Sequence, residues 1–237
     1  MIKLENVNAG YSKFHVLYDI NVEMADQKMT IIVGPNGSGK STLLKSIFGL
    51  TNIYDGDVYY NNEKLTGMAP HKISRKGIAY VPQVGNTFPN LTIRENLIMS
   101  GYTMKRDDVH KGIEEVTGYY PILKDRFDKR ASTLSGGERQ MLAMGMALIR
   151  KPDVMLFDEP TANLSPKMSS EVMDEISKLR DSLGKTIILV EQNAVKALKC
   201  GDYAVLLVSG KINYSGSPKG LLESPELGAL YLGIKQQ

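Results

Sequence analysis

Five short runs of apolar residues punctuate the chain: TIIV (30–33), IAYV (78–81), VMLF (154–157), TIILV (186–190) and AVLLV (204–208). Runs this short and this uniformly apolar fit strands buried on both faces, and several lead into stretches with helical spacing. That alternation predicts an α/β fold around a mostly parallel sheet. The first ~25 residues alternate apolar and polar positions instead, and DVYYNNEKL (57–65) has the same character. An antiparallel β-layer beside the main sheet is therefore expected. From Asn90 to about Ala147 the pattern turns helical, through TIRENLIMSGY and GIEEVTGYYPIL to ERQMLAMGMALI, which predicts an inserted helical subdomain between two core strands. The reading is of a single domain over 1–237, with a core built from 1–85 and 148–237 and a helical insertion over 86–147. No repeat, low-complexity tract or Pro/Gly-rich linker divides it further.

Composition narrows the possibilities. With 42% hydrophobic residues in 237, the chain can bury a full core. Its net charge of +3 comes from 29 basic and 26 acidic residues spread along the sequence, with no block that reads as a nucleic-acid arm. No nucleic-acid partner is expected. The single cysteine, Cys200, leaves no internal disulfide to form and fits a reducing, cytoplasmic compartment; a structural role is expected for it. No stretch approaches the ~20 apolar residues that span a bilayer, and the N-terminal MIKLENVNAG has no signal-like run. The expectation is a soluble protein that serves a membrane process, if at all, through another chain.

The chemistry begins at GPNGSGKST (34–42), which matches G-x-x-x-x-G-K-[ST] between an apolar strand and a helical pattern, the context that motif requires. Gly34, Gly37 and Gly39, with Pro35, Asn36 and Ser38 between them, would turn backbone N–H groups inward around phosphates, and the helix starting near Lys40 would add the positive end of its dipole. Lys40 supplies a mobile charge. Ser41, followed by Thr42, sets a hydroxyl where it can ligate Mg²⁺. DVMLFDEP (153–160) ends an apolar strand in two carboxylates with separable tasks: Asp158 in the Mg²⁺ shell, and Glu159 as general base toward the attacking water. LSGGERQ (134–140) opens a further helix. Ser135 and Glu138 have capping-box spacing, yet Gly136 and Gly137 are costly helix starters by up to ~1 kcal/mol each relative to Ala. Bare N–H groups there suggest a second anion site, for phosphate presented by another molecule. Finally, Gln192 stands just beyond the strand TIILV; it is either part of a ligand site at the strand ends or a solvated helix start.

In their order along the chain, GPNGSGKST, YVPQ (80–83), LSGGERQ and VMLFDEP resemble the ATP-binding cassette ATPases, and the resemblance covers essentially the whole sequence. It implies a P-loop NTPase fold of RecA-like type, ATP and Mg²⁺ as cofactors, and a head-to-tail dimer. In that dimer ATP on one P-loop is closed over by the partner's Ser135, Gly136, Gly137 and Glu138. It also gives roles to two residues that are otherwise silent. Tyr11, alone an ordinary turn tyrosine, is similar to the aromatic residue that stacks on adenine. Gln83 is similar to the glutamine that reaches Mg²⁺ and the attacking water and senses the transmembrane partner.

The chain lacks the coiled-coil inserts of family members that act on DNA and the paired cassettes of those that act on ribosomes. It is similar to the free-standing ATPase subunits of importers, which sit on the cytoplasmic face of the membrane, bind separate permease subunits and serve an extracytoplasmic binding protein indirectly. The segment NTFPNLTIRENL (86–97) would be the docking surface, with Thr92 and Glu95 also suited to start a helix. TFPNLTIRENL, VEQNA and the C-terminal SPELGALYLG most resemble the ATPases for branched-chain amino acids and related amides. Two departures matter. Ser165 replaces a usual aspartate, and Gln192 stands where most cassettes have a histidine, as in one of the two ATPases of the branched-chain systems, which implies a heterodimer with a histidine-bearing sister. The alternatives are an ATPase of another assembly, such as lipid export or a biosynthetic scaffold, and a regulatory subunit of low activity.

Overall fold

The computed structural model describes residues 1–224. The chain runs β1 (Ile2–Tyr11), β2 (Phe14–Met24), β3 (Met29–Val33), α1 (Lys40–Ile47), β4 (Asn52–Tyr60), β5 (Glu63–Lys64), α2 (Pro70–Arg75) and β6 (Ile78–Val81). It continues with α3 (Ile93–Ser100), α4 (Arg106–Tyr119), α5 (Pro121–Asp125), α6 (Gly136–Leu148), β7 (Val154–Asp158), α7 (Pro166–Asp181), β8 (Thr186–Val190), α8 (Ala194–Leu198), β9 (Tyr203–Val208), β10 (Lys211–Gly216) and α9 (Pro218–Leu222). The five apolar runs become β3, β6, β7, β8 and β9. They pair in parallel within a six-stranded sheet of order β10-β9-β3-β8-β7-β6, with only β10 antiparallel at its edge. The polar-alternating segments form the expected second layer, an antiparallel sheet of order β2-β1-β4-β5.

Every residue of β3, β7 and β8 is buried, which explains why these strands read as unbroken apolar runs. The two-residue period then divides them between two cores. Ile31, Phe157, Leu189 and Leu206 pack toward the helices, while Ile32, Leu156, Ile188 and Val205 face α1 and the antiparallel layer. On α1, Leu43, Leu44 and Ile47 are fully buried in the second core. Residues of α3, α4, α5 and α6 join the first core with the sheet itself, so the helical stretch between β6 and β7 shares one continuous apolar interior with the strands.

Local chemistry sets the breaks. GIEEVTGYYPIL is not one helix: α4 ends at Tyr119, and Pro121 starts α5, because a proline cannot continue the amide ladder but is well suited to a first turn. α3 starts on the expected box, with Thr92 Oγ1 accepting from Glu95 N and Glu95 accepting from Thr92 N. That backbone bond holds the Glu95 carboxyl below its ordinary range. Within α3, Asn96 is fully buried. Its amide accepts from Phe88 N (2.7 Å) and donates to the carbonyls of Phe88 (3.0 Å) and Thr92 (2.8 Å), tying the loop before α3 to the helix. Cys200 is half-buried, its thiol directed at Lys196 O at 3.8 Å. The SPELGALYLG segment lies, beyond Ser224, outside the described residues.

Asn96→Ala removes the partner of the Phe88 N–H and leaves the carbonyls of Phe88 and Thr92 with their backbone donors alone, which is expected to cost about 2 kcal/mol and lower the melting temperature by about 4–8 °C. Thermal unfolding followed by circular dichroism checks this; a shift under about 2 °C would show that the loop does not depend on Asn96.

Candidate functional site

The parallel register aligns strand ends. Ile32 and Asp158 both lie opposite Val190, so the segments leaving β3, β7 and β8 emerge side by side at one edge of the sheet. Residues 34–39 follow β3 and curl over β9. A Cβ on Gly34, whose φ is 150°, would lie 2.0 Å from the Leu207 carbonyl oxygen, so the loop's path there requires glycine. α1 then begins at Lys40 with Gly39 as a cap in the left-handed region and no side-chain cap on its amides.

Lys40 is buried, and its ammonium donates to the carbonyls of Gly34 (2.9 Å) and Pro35 (3.0 Å), reaching back across the loop. Burial lowers its pKa from the ordinary lysine value, while Glu159 and then Asp158 oppose that shift. Ser41 Oγ donates to Asp158 Oδ1 at 2.7 Å, and Tyr80 Oη donates to Asp158 Oδ2 at 3.0 Å, so both oxygens of this buried carboxylate are oriented. Burial, with the neighbouring Asp158 charge, drives the Tyr80 phenol far above its ordinary range, fixing it as a donor. Tyr80 carried no signal as a lone tyrosine in YVPQ; its role follows from β6 lying beside β7, with Tyr80 opposite Leu156.

Glu159 has φ 48°, in the left-handed region, held by its N–H to the Val190 carbonyl (2.9 Å) and its own carbonyl accepting from Ala162 N (3.1 Å). Its carboxylate accepts from Gln83 Nε2 at 3.0 Å. Gln192 is exposed beyond β8, and Asn193, not Gln192, caps α8 through its side chain. Gln192 and Glu159 line one cavity of about 460 Å³ together with Lys40, Ser41, Thr42, Gln83, Asn36, Gly37 and Gly39. Gln192 thus lies with the other candidate residues at the strand ends, and the cap of α8 is its neighbour.

Tyr11 ends β1, is 38% exposed and does not line this cavity, where Val16 of β2 does. Its turn is held from β4: Tyr54 Oη donates to Ser12 O (3.0 Å), and Asn52 Oδ1 accepts from Ser12 N (3.1 Å). Ser135 and Glu138 form the predicted box, with Glu138 accepting from Ser135 N (2.8 Å), the contact that most lowers its carboxyl pKa; Ser135 Oγ accepts from Glu138 N (3.3 Å). At the start of α6, Gly137 lies against the flexible end of the Met168 side chain of α7, which a Cβ at Gly137 would displace. These residues do not share the cavity of Lys40; Gly136 lines a separate one of about 390 Å³ with Arg139, Gln140 and Leu164. Ser165 caps α7, its Oγ accepting from Met168 N at 3.4 Å, with Pro166 as first helical residue.

The loop fits a polyanion on two counts. Lys40 Nζ donates, among the described residues, to neutral carbonyls of its own loop, which phosphate oxygens can replace. Among the described residues, Ser38 Oγ is the one fully buried side-chain polar atom with no hydrogen-bond partner, and it sits inside the loop. For a divalent cation the available donors are hard oxygens: Ser41 Oγ, the Asp158 carboxylate and the Gln83 amide.

The family model described as "ABC transporter" matches residues 17–162. The probable branched-chain amino acid transport ATP-binding protein LivF of Archaeoglobus fulgidus is 47% identical over 234 residues, covering 99% of both chains. The high-affinity branched-chain amino acid transport ATP-binding protein BraG of Pseudomonas aeruginosa is 40% identical, covering 98% of this chain and 100% of its own. Among solved structures, the dimeric structure of MJ0796, a bacterial ABC transporter cassette, superposes with TM-score 0.79 at 27% identity, covering 92% of this chain and 99% of that one.

Proposed function

We propose that this chain, which belongs to the ABC transporter family and is an ATPase, energises an importer for branched-chain amino acids or chemically related amides. Two relatives at 47% and 40% identity, matched over nearly their full lengths, are named for that transport. The observation that carries the site assignment is the meeting of Lys40, Ser41, Glu159 and Gln192 around one cavity.

Bound ATP supplies the anhydride that is cleaved, and Mg²⁺ bound with it would supply positive charge to offset that of the phosphates. Gly34, Pro35, Asn36, Gly37, Ser38, Gly39, Lys40, Ser41 and Thr42 hold the phosphates, and Tyr11 stacks on the adenine. Ser41, Gln83 and Asp158 would hold Mg²⁺; Tyr80 and Ser41 already orient the Asp158 carboxylate for that task. Glu159 takes a proton from the attacking water as general base, and the Gln83 amide that donates to it keeps its carboxylate turned toward the cavity. Gln192 donates an amide hydrogen to the γ-phosphate, with no charge and no titration. Ser135, Gly136, Gly137 and Glu138 face the ATP of a second ATPase subunit, a sister chain or a second copy; that none of the four lines the cavity of Lys40 supports this reading.

No helix among the described residues is long and apolar enough to cross a membrane. The chain works at the cytoplasmic membrane face through permease subunits, which in turn meet an extracytoplasmic binding protein. Phe88, 47% exposed and fixed by Asn96, and Val84, 78% exposed, support a docking surface in the segment after Gln83.

Glu159→Gln is expected to leave ATP binding within about threefold and lower kcat by about a hundredfold or more; steady-state turnover and nucleotide titration measure both, and an unchanged rate would remove Glu159 as the base. Gln192→His tests the amide. A histidine beside phosphate has its pKa raised from ~6.5, so its charge is present below that pKa and lost as pH rises through it. The variant is expected to exceed the parent by about fivefold at pH 6, the worth of ~1 kcal/mol, and to converge on it toward pH 8. Parallel pH profiles for the two proteins would argue against contact between residue 192 and phosphate.

A further inference from the structure

We propose that Glu191 is a positioning residue of the hydrolytic site: its carboxylate clamps the turn that carries Glu159 to the backbone of Gln192 and so fixes the separation of the two. Glu191 directly follows β8 and is 3% exposed. One of its oxygens, Oε1, accepts from Thr161 N at 3.1 Å, and the other, Oε2, accepts from Gln192 N at 3.2 Å. Both of these donors are main-chain amides, the Thr161 side chain adds a further hydrogen bond, and the charge that faces it is another carboxylate, Glu159. A buried anion facing a second anion is an expensive way to fill a space that a threonine or an alanine could occupy. Its geometry explains its use. Two acceptor oxygens at a fixed span join two segments that are 30 residues apart in sequence.

The clamp acts where the backbone is strained. Glu159 lies in the left-handed region, which costs a non-glycine residue about 1 kcal/mol or more and persists only where neighbours over-determine it. Three restraints converge there: Glu159 N to Val190 O, Ala162 N to Glu159 O, and Thr161 N to Glu191 Oε1. The third also passes through the residue next to Gln192. Glu159 and Gln192 line both the cavity of Lys40 and a neighbouring one of about 660 Å³ on the Thr161 side, and Glu191 lines the second only. Glu191 therefore stands behind the reacting groups.

This rests on the roles proposed for Glu159 and Gln192, and the experiment separates the two levels. In the full chain, Glu191→Gln replaces one acceptor oxygen by an NH₂ group and loses one arm of the clamp. Turnover is expected to fall about tenfold while KM for ATP stays within about twofold, and Glu191→Asp, which keeps both acceptors, is expected to retain more of kcat. In a Gln192→Ala background the same Glu191→Gln change is expected to cost about threefold or less, because one of the clamped groups is already gone. An unchanged kcat in Glu191→Gln, or an equal loss in both backgrounds that tracks a lowered melting temperature, would overturn the proposal. Should Glu191→Gln not fold, Glu191→Asp, whose side chain is shorter by one methylene, decides the matter: a kcat lowered about threefold with KM within about twofold supports the clamp, and an unchanged kcat overturns it. Glu159→Gln run alongside serves as the control: continued turnover there overturns the assignment of the base itself, whereas its loss together with an unaffected Glu191→Gln overturns only the clamp.

Discussion

Everything at the site depends on the in-register parallel pairing of β3, β8 and β7. Because Ile32 and Asp158 both stand opposite Val190, the loop around Lys40, the Asp158–Glu159 pair and the Glu191–Gln192 pair leave the sheet at the same level. A slip of one residue would exchange the two buried faces of a strand and also carry its terminal acid or amide away from the cavity. The cost of such a slip is high because each of these strands is buried on both sides, one set of side chains under the helices and the other against α1 and the antiparallel layer. Packing in two cores thus sets the alignment of polar groups that themselves contribute little to the interior.

The same constraint explains why the polar ends are tied together as closely as they are. Asp158 is held by donors from α1 and from β6, Glu159 by the last carbonyl of β8, and Glu191 by amides from two segments. Each tie crosses between elements that the sheet has already brought into reach. At the start of α6, Gly137 lies against the Met168 side chain of α7, the helix that Ser165 caps.

Much of this was legible in the sequence where the signal is local. The apolar runs marked the buried strands, the glycines and Lys40 marked the phosphate loop, and Thr92–Glu95 and Ser135–Glu138 marked two helix starts, each confirmed as a capping box. What stayed hidden depends on residues far apart in the chain. Tyr80 meets Asp158 across 78 positions, and Glu191 meets Thr161 across 30. Neither has a pattern of its own: a tyrosine in a strand and an acid after one are ordinary until the neighbouring strand is known. Asn96 reads as a polar position on an amphipathic helix, yet it is fully buried, its amide pairing with the N–H and carbonyl of Phe88 in the loop beside it. The break between α4 and α5 falls at Pro121, a local signal inside a stretch whose apolar spacing is otherwise helical.

The central claim is that the strand ends gather Lys40, Glu159 and Gln192 about a single phosphate. A crystal structure of the Glu159→Gln chain with ATP and Mg²⁺ tests it most directly. The account predicts that Lys40 Nζ leaves the carbonyls of Gly34 and Pro35 for phosphate oxygens, and that the Gln192 amide and residue 159 lie within hydrogen-bond reach, about 3 Å, of the γ-phosphate and its adjacent water. A nucleotide bound with Lys40 still on its own loop, or with Gln192 turned away from the phosphate, would contradict it.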